Sequence, residues 1–410
     1  MNDIKVIEGG VTAPKGFSAA STAAEIKYKG REDMAMVYSD ELCVTAGVYT
    51  SNVVKAAPVI WDKKVTDSDT KVRAAVINSG IANACTGEKG MEICRKTSAA
   101  VAELTGDAAD CVLVASTGVI GMQIPVDRIV AGAKALVEKK EATIEAGTKA
   151  SKAIMTTDTK NKEIAVEFEL KGTKVKLGAM CKGAGMIHPN MCTMLAFVTT
   201  DAVIDKKLMQ EALSEVVQDT FNMISVDGDT STNDTLVIMA NGLAGNEMVS
   251  EKDADYENFK ANLFYVCRNL AMRMAADGEG ATALFEAKIV NAKTVKDAKL
   301  MARSVVSSSL SKAAIFGHDA NFGRFLCAMG YSGADFDQND VELYFESENG
   351  RIIVFDHGVP QPYSEEEATK ILSAEKVTIF INMNEGDAEA TAWGCDLSYD
   401  YVKINADYRS

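Results

Sequence analysis

The chain has 410 residues, with 43 Lys+Arg against 58 Asp+Glu, a formal net charge of −15, 47% hydrophobic residues and only 6 prolines. At roughly 150 residues per domain this length predicts two or three domains, and the apolar content excludes disordered, collagen-like and low-complexity chains. A pI near 4.9 excludes the basic footprint that nucleic acid or an anionic membrane surface would need, so neither is expected as a partner.

The N-terminus, MNDIKVIEGG, carries an early Asp and no apolar core segment, so no secretory signal is expected. Residues 71–79 (KVRAAVINS) and 111–116 (CVLVAS) are short, rich in Val, Ile and Leu, and bounded by Gly, Asn, Ser and Asp, as buried strands are. A helix is predicted over 125–140, with Pro125 in its first turn, where a missing N–H leaves nothing unpaired. Residues 163–170 and 173–178 alternate apolar and charged around Lys171-Gly172, which predicts a hairpin.

Strands are again expected at 194–200 (MLAFVTT) and 235–240 (TLVIMA). Between them, Leu208, Met209, Ala212, Leu213, Val216, Val217 and Phe221 form one apolar stripe, predicting a helix from Asp205 to Phe221. Helical spacing recurs over 254–276, 294–307 and 364–373. The class is α/β or α+β, with helices packed on sheets. A Gly-rich run, DGEGATAL, marks a boundary near 278–285 and leads to a domain division of 1–280, 281–395 and a tail of 396–410. That tail (DLSYDYVKINADYRS) has three tyrosines and no flexible spacer, as a terminus held against the body of a protein does.

Chemistry is constrained by two counts. Three histidines (His188, His318, His357) leave little room for imidazole catalysis, and nine cysteines without any C-x-x-C spacing point to a reducing cytoplasm rather than to disulfides or a zinc ribbon. No metal or nucleotide cofactor is expected: the glycines of KGAGMI follow their Lys instead of preceding it, and DGDTSTNDT has Thr232 and Ile238 where a calcium loop needs Gly and Glu. It reads instead as a hydrogen-bonded turn structure. The densest segment is KGAGMIHPNMCTMLAFVTT at 182–200, where close-approach glycines lead to a hydroxyl at the start of a buried strand. Thr193 there fits a nucleophile, but on spacing alone the favoured reading is an ordinary β-branched strand residue. Cys192 and His188 form a second pair, four residues apart in a Pro-containing loop and without a third orienting group. STGVIG at 116–121 reads as a strand-to-helix turn, whose N–H groups and Thr117 hydroxyl beside Gly118 could form an oxyanion hole, while Asn78-Ser79-Gly80 and Asn83 read as turn chemistry. Glu279, between two glycines, suits either solvent or a cationic substrate group.

Together these segments resemble one family, the bifunctional glutamate N-acetyltransferase/ornithine acetyltransferases of the cyclic arginine pathway. The resemblance runs from end to end: VTAPKGF at 11–17, NSGIANACTG at 78–87, STGVIG at 116–121, MTTDT at 155–159, KGAGMIHPNMCTML at 182–195, VDGDTSTND at 226–234, DGEGAT at 277–282, GHDANFGR at 317–324 and the closing INADYRS. It implies an αββα-type sandwich with a smaller C-terminal α/β domain. It also implies a precursor that cuts itself between Cys192 and Thr193, giving an α chain of 1–192 and a β chain of 193–410 that assemble as a cytoplasmic heterotetramer of two α and two β chains. Thr193 is then the implied nucleophile, carrying acetyl from N2-acetylornithine to glutamate. Its freed α-amino group, with a reference pKa of about 7.7–8.0, is the base, so no histidine is needed. Thr117 and Gly118 match the family's oxyanion hole. Thr156, Lys182, Thr193, Glu279, Asn405 and Ser410 match its substrate-binding positions, with Thr157 as the neighbour one residue from Thr156. The resemblance implies no cofactor and leaves acetyl-CoA open as a second acetyl donor.

Departures from the family pattern are Cys192 in place of a usual Ala, His188 in place of a small residue, Ala283 where Lys is common, and Ala320-Asn321-Phe322 in place of Pro-Asn-Trp. The competing readings are a self-cleaving amidase or aminopeptidase of the related hydrolase group, with water as acceptor, and a non-catalytic protein that never cleaves.

Overall fold

The computed structural model of the chain describes residues 4–188 and 194–406. It has the mixed α/β architecture expected from the sequence and divides into two compact units that interleave along the chain. The first comprises Met1–Gly183, Asn190–Gln218 and Thr230–Leu270; the second comprises Ala184–Pro189, Asp219–Asp229 and Ala271–Ser410.

The first unit begins with strands β1 (Lys5–Ile7), β2 (Phe17–Thr22) and β3 (Met34–Tyr49), followed by α1 (Ala57–Asp67), β4 (Val72–Asn78) and α2 (Gly87–Thr105). It continues through β5 (Val112–Ser116), α3 (Val126–Lys139), α4 (Ile144–Ala153), β6 (Lys162–Leu170), β7 (Thr173–Lys182), β8 (Leu195–Thr200) and α5 (Lys206–Gln218). After the two-residue β9 (Ile224–Ser225) of the second unit, the chain returns for β10 (Thr235–Ala240) and enters α6 (Ala254–Ala276). The nine strands of this unit form one sheet in the order β1-β6-β7-β8-β10-β3-β4-β5, with β2 paired to β3.

The central strands are the ones the sequence marks most clearly. β8 and β10 run parallel, with Leu195 opposite Thr235, and every residue of both is buried. Burial on both faces is why they read as continuous apolar runs without alternation. The β6–β7 hairpin turns at Lys171 (φ +50°) and Gly172 (φ +74°), the left-handed pair a two-residue hairpin loop requires. In α5 the apolar stripe buries Met209, Ala212, Leu213, Val216 and Val217, but the helix stops at Gln218; Phe221 is buried in a separate 3-10 turn. Pro125 stands just ahead of α3 as its N-cap, one residue earlier than the first turn. There its fixed φ of −64° still points the chain into the helix.

The second unit adds β11 (Leu284–Ala292), α7 (Val295–Ser307), α8 (Ser309–Phe316), α9 (Phe322–Gly330), β12 (Glu342–Ser347), β13 (Gly350–Asp356) and β14 (Val359–Pro360). It ends with α10 (Glu365–Leu372), β15 (Lys376–Asn382), β16 (Ala388–Cys395) and α11 (Tyr399–Ala406). Its seven-stranded sheet has the order β14-β13-β12-β15-β11-β16-β9. Helix α7 is capped by the Thr294 side chain, which accepts from Asp297 N–H, and buries Ala298, Met301, Ala302, Val305 and Val306. Edge-to-face contacts of Phe325 with Phe285 and Phe345 fill the same core, and the Trp393 indole donates to Glu286 at 2.7 Å. Sequence alone puts the domain boundary at 280. The last division between the compact units along the chain falls between Leu270 and Ala271, within α6. Among the described residues no helix is long and apolar enough to cross a membrane.

Candidate active site

In the first unit, three of the positions named from the sequence come together. The loops that follow β4 and β5 are stitched side by side: Thr117 N–H donates to Asn78 O and Val119 N–H to Gly80 O, each at 3.0 Å. Gly118, at φ +129°, lies so close to Gly80 that a Cβ would sit 2.2 Å from the Gly80 carbonyl carbon, so only glycine fits. Ser116 donates to Asn78 Oδ1, and the Asn233 amide donates to both Ala82 O and Ser116 O, at 2.6 and 2.8 Å. The turn-rich segment around Asn233 therefore braces these loops.

Lys182, the last residue of β7, is 3% exposed. Its Nζ donates to Thr156 Oγ1 at 2.9 Å and to Thr117 Oγ1 at 3.2 Å. Of the adjacent threonines 156 and 157, Thr156 is thus the one whose hydroxyl meets the lysine. Asp158 lies at the centre of this group. Its Oδ1 accepts from Lys162 Nζ at 2.8 Å and from Gly183 N–H at 2.7 Å, and its Oδ2 accepts from Thr156 N–H at 3.2 Å and pairs with Lys182 Nζ at 3.9 Å. Burial alone would raise the Asp158 pKa; the Lys182 and Lys162 cations with the Lys162 and Gly183 hydrogen bonds outweigh it and hold the carboxyl down to about 2. An open cavity of about 580 Å³ adjoins this cluster, lined among others by Arg31, Lys152, Thr156 and Asp158.

The second unit brings together two further positions. Glu279 is buried in the turn after α6; its N–H donates to Ala184 O at 2.8 Å and its Oε2 accepts from the Asn405 side chain at 2.6 Å. Asn405 lies on α11, which is held by Ser398 Oγ donating to Gly280 O at 2.6 Å and by Tyr401 OH donating to Asp227 Oδ2 at 3.3 Å. These bonds fasten the described part of the tail, 396–406. Asp227 also accepts from Met186 and Ile187 N–H, while burial keeps its pKa raised. Gly185 packs against Glu279: a Cβ there would lie 2.4 Å from the carboxyl carbon.

Thr193, Cys192 and Ser410 lie outside the described residues. His188 contacts Ser225 Oγ at 3.2 Å and Ser307 Oγ at 3.5 Å, and its pKa is lowered first by burial and then by Arg303. It has the surroundings of a half-buried structural histidine. One trio of metal-ligand types, Glu342, Asp356 and His357, stands together among the described residues, but Tyr344, Asn382 and Asn384 already occupy the Glu342 oxygens and Asp356 the His357 ring. Sequence reasoning missed Asp158, Lys162 and Asp234. Asp158, in the loop before β6, and Lys162, the first residue of β6, are four apart with no periodic signal. Asp234, wholly buried, accepts from Met194 N–H at 3.1 Å, a contact across 40 residues that no local pattern encodes.

A sequence model of the ArgJ family matches residues 18–410. Proteins described as the arginine biosynthesis bifunctional protein ArgJ are similar over the whole chain. That of Caldanaerobacter subterraneus subsp. tengcongensis is 46% identical over 407 residues, covering 99% of this chain and 100% of the relative. That of Symbiobacterium thermophilum is 48% identical over 406 residues, covering 98% and 99%. That of Bacillus subtilis is 43% identical over 413 residues, covering 100% and 98%.

Proposed function

The chain belongs to the ArgJ family, an acetyltransferase family of arginine biosynthesis, and from that premise we propose that it moves the acetyl group of N2-acetylornithine to glutamate through an ester on Thr193. The observation that carries this reading is the convergence of Lys182 Nζ on the hydroxyls of Thr117 and Thr156, three positions far apart in sequence. In the precursor, the Thr193 hydroxyl attacks the Cys192 carbonyl and the Cys192–Thr193 C–N bond breaks, leaving an ester on the Thr193 oxygen and freeing the Thr193 amine; water then hydrolyses the ester, releasing the Cys192 carboxylate and regenerating the hydroxyl. That amine then takes the proton of its own hydroxyl as the hydroxyl attacks the acetyl carbonyl of acetylornithine. Ornithine leaves with the proton, and glutamate attacks the acetyl ester in the second half-reaction.

Each attack places negative charge on the former carbonyl oxygen. The Thr117 hydroxyl and the Gly118 N–H are the donors assigned to it, on loops that the Gly80–Gly118 contact keeps rigid. Lys182 suits the substrate carboxylate and Glu279, oriented by Asn405, suits an amino group of the substrate. Assembly as a cytoplasmic heterotetramer of two α and two β chains, and acetyl-CoA as a second acetyl donor, belong to the same proposal.

The test uses purified protein. A denaturing gel and intact mass are expected to show two fragments meeting at Cys192–Thr193, and acetylornithine plus glutamate are expected to yield acetylglutamate and ornithine. Release of free acetate instead would favour the hydrolase. A Thr193→Ala variant is expected to remain one chain without exchange activity; cleavage and turnover in that variant would overturn the nucleophile assignment. Acetylglutamate formation from acetyl-CoA and glutamate decides the second donor.

A further inference from the structure

We propose that Asp158 is a positioning residue for acyl transfer: it fixes Lys182 so that the ammonium donates to Thr117 and Thr156 and commits their hydroxyl protons to substrate. This rests on the oxyanion role proposed for Thr117. A lysine ammonium has three donors and no acceptor, whereas a threonine hydroxyl has one proton and two lone pairs. With Lys182 Nζ donating at 3.2 Å to Thr117 Oγ1 and at 2.9 Å to Thr156 Oγ1, neither hydroxyl can return its own proton to the lysine. Each O–H must turn elsewhere. The cation thereby converts a freely rotating hydroxyl into an oriented and polarised donor, which is what a developing oxyanion requires.

A lysine ammonium on a flexible four-carbon stem does not hold such a position unaided. Asp158 supplies the anchor from both ends of the arrangement. It accepts from Gly183 N–H, the residue directly after Lys182, and from Thr156 N–H, the backbone that carries the other hydroxyl. Its Oδ2 faces Lys182 Nζ itself at 3.9 Å. The carboxylate is in turn braced by Lys162 Nζ at 2.8 Å, and all three charged side chains are 0–3% exposed. Buried ion pairs of this kind add little stability over well-packed apolar residues, so a triad of charges beneath two hydroxyls is better accounted for by placement of a cation than by stability.

The test compares Asp158→Asn with the double variant Asp158→Asn/Lys162→Met. The single change removes the charge and keeps one acceptor oxygen, enough for the Gly183 or the Thr156 N–H but not for both, which bond to different carboxylate oxygens; it costs folding because two buried cations lose their partner. The double change removes one of those cations and restores the charge balance. In acetylornithine–glutamate exchange, normalised to the cleaved fraction, both variants are expected to lose kcat by about 10- to 100-fold, the scale on which outer-shell partners act, and by more than KM rises. Tm is expected to recover in the double variant while kcat does not. Recovery of kcat together with Tm, or an unchanged kcat in Asp158→Asn, would overturn the proposal. Thr117→Val measured alongside separates the two readings: if it retains full activity, the oxyanion role itself fails; if it loses activity while the double variant does not, only the Asp158 assignment fails.

Discussion

The backbone amide of Met194 donates to the Asp234 carboxyl at 3.1 Å, and the neighbouring Thr235 N–H returns a bond to the Met194 carbonyl at 3.0 Å. The residue that follows the proposed nucleophile is therefore held on both its polar groups before β8 begins its pairing with β10. Asp234 is itself secured through its carbonyl, which accepts from Thr50 N–H at 3.1 Å.

Removing the Asp234 side chain leaves the Met194 N–H without its partner in a buried site. In the Thr193→Ala background, expected to stay one chain and so to unfold as one species, Asp234→Ala should cost about 1–3 kcal/mol in urea unfolding. Asp234→Asn, which keeps an oxygen for Met194, should cost less. Equal losses would mean that the charge or the packing, rather than this hydrogen bond, holds the segment.

Thr117 and Gly118 respond differently to substitution because one acts through an oxygen and the other through the absence of a side chain. Thr117→Val keeps shape and removes the donor, and is expected to lower kcat for exchange by about 10²–10³, with Thr117→Ser retaining most of the rate. Gly118→Ala puts a methyl 2.2 Å from the Gly80 carbonyl carbon at φ +129°. The two loops would have to part, so this variant is expected to lose soluble expression or Tm before its kinetics can be compared.

Gly185 controls Glu279 by leaving it room. A Gly185→Ala methyl would fall 2.4 Å from the Glu279 carboxyl carbon, forcing the carboxylate off the Asn405 amide. If Glu279 recognises a substrate amino group, KM for acetylornithine should rise by about 10-fold or more, the worth of one charged hydrogen bond, with kcat less affected. Asn405→Ala should move KM in the same direction by less. A fall in kcat at constant KM would count against a binding role.

Much of the fold was legible because its elements obey simple periods. The stripes of α5 and α7, the unbroken apolar runs of β8 and β10 and the Lys171-Gly172 turn each announce themselves within a dozen residues. β3 does not: its sixteen residues pass through the polar run Ser39-Asp40-Glu41, where the pairing with β4 shifts register between Tyr38 and Cys43, so period two is lost midway. Of the candidate residues, Thr117, Gly118 and Glu279 were also marked by their local sequence, whereas Thr156, Lys182 and Asn405 were named by resemblance alone. Asp158 and Asp234 escaped because a buried carboxylate is identified by what surrounds it, and Gly183, Lys182 and Met194 reach them only after folding.

Asp62 gives the cleanest pH prediction. It lies wholly buried on α1, where Oδ1 accepts from Val114 N–H at 2.7 Å and Oδ2 has no hydrogen-bond partner among the described residues. Burial pushes its pKa well above the usual carboxylate range, and the single Val114 bond only partly opposes it; the ionisable neighbours that sense it, half-buried Tyr49 and buried Cys94, are themselves raised. In the unfolded chain Asp62 ionises near a pKa of about 3.9. Above that pH the folded state keeps a proton the unfolded state has lost, so the contribution of Asp62 to stability falls as pH rises towards the folded pKa. Asp62→Asn keeps an oxygen for Val114 and cannot ionise. Its Tm should therefore decline less than that of the parent between pH of about 5 and about 8. The slope should not vanish, because Asp234 is raised by the same burial and titrates with the same sign. Superimposable Tm–pH curves for the parent and Asp62→Asn would mean that Asp62 is not held as the neutral acid.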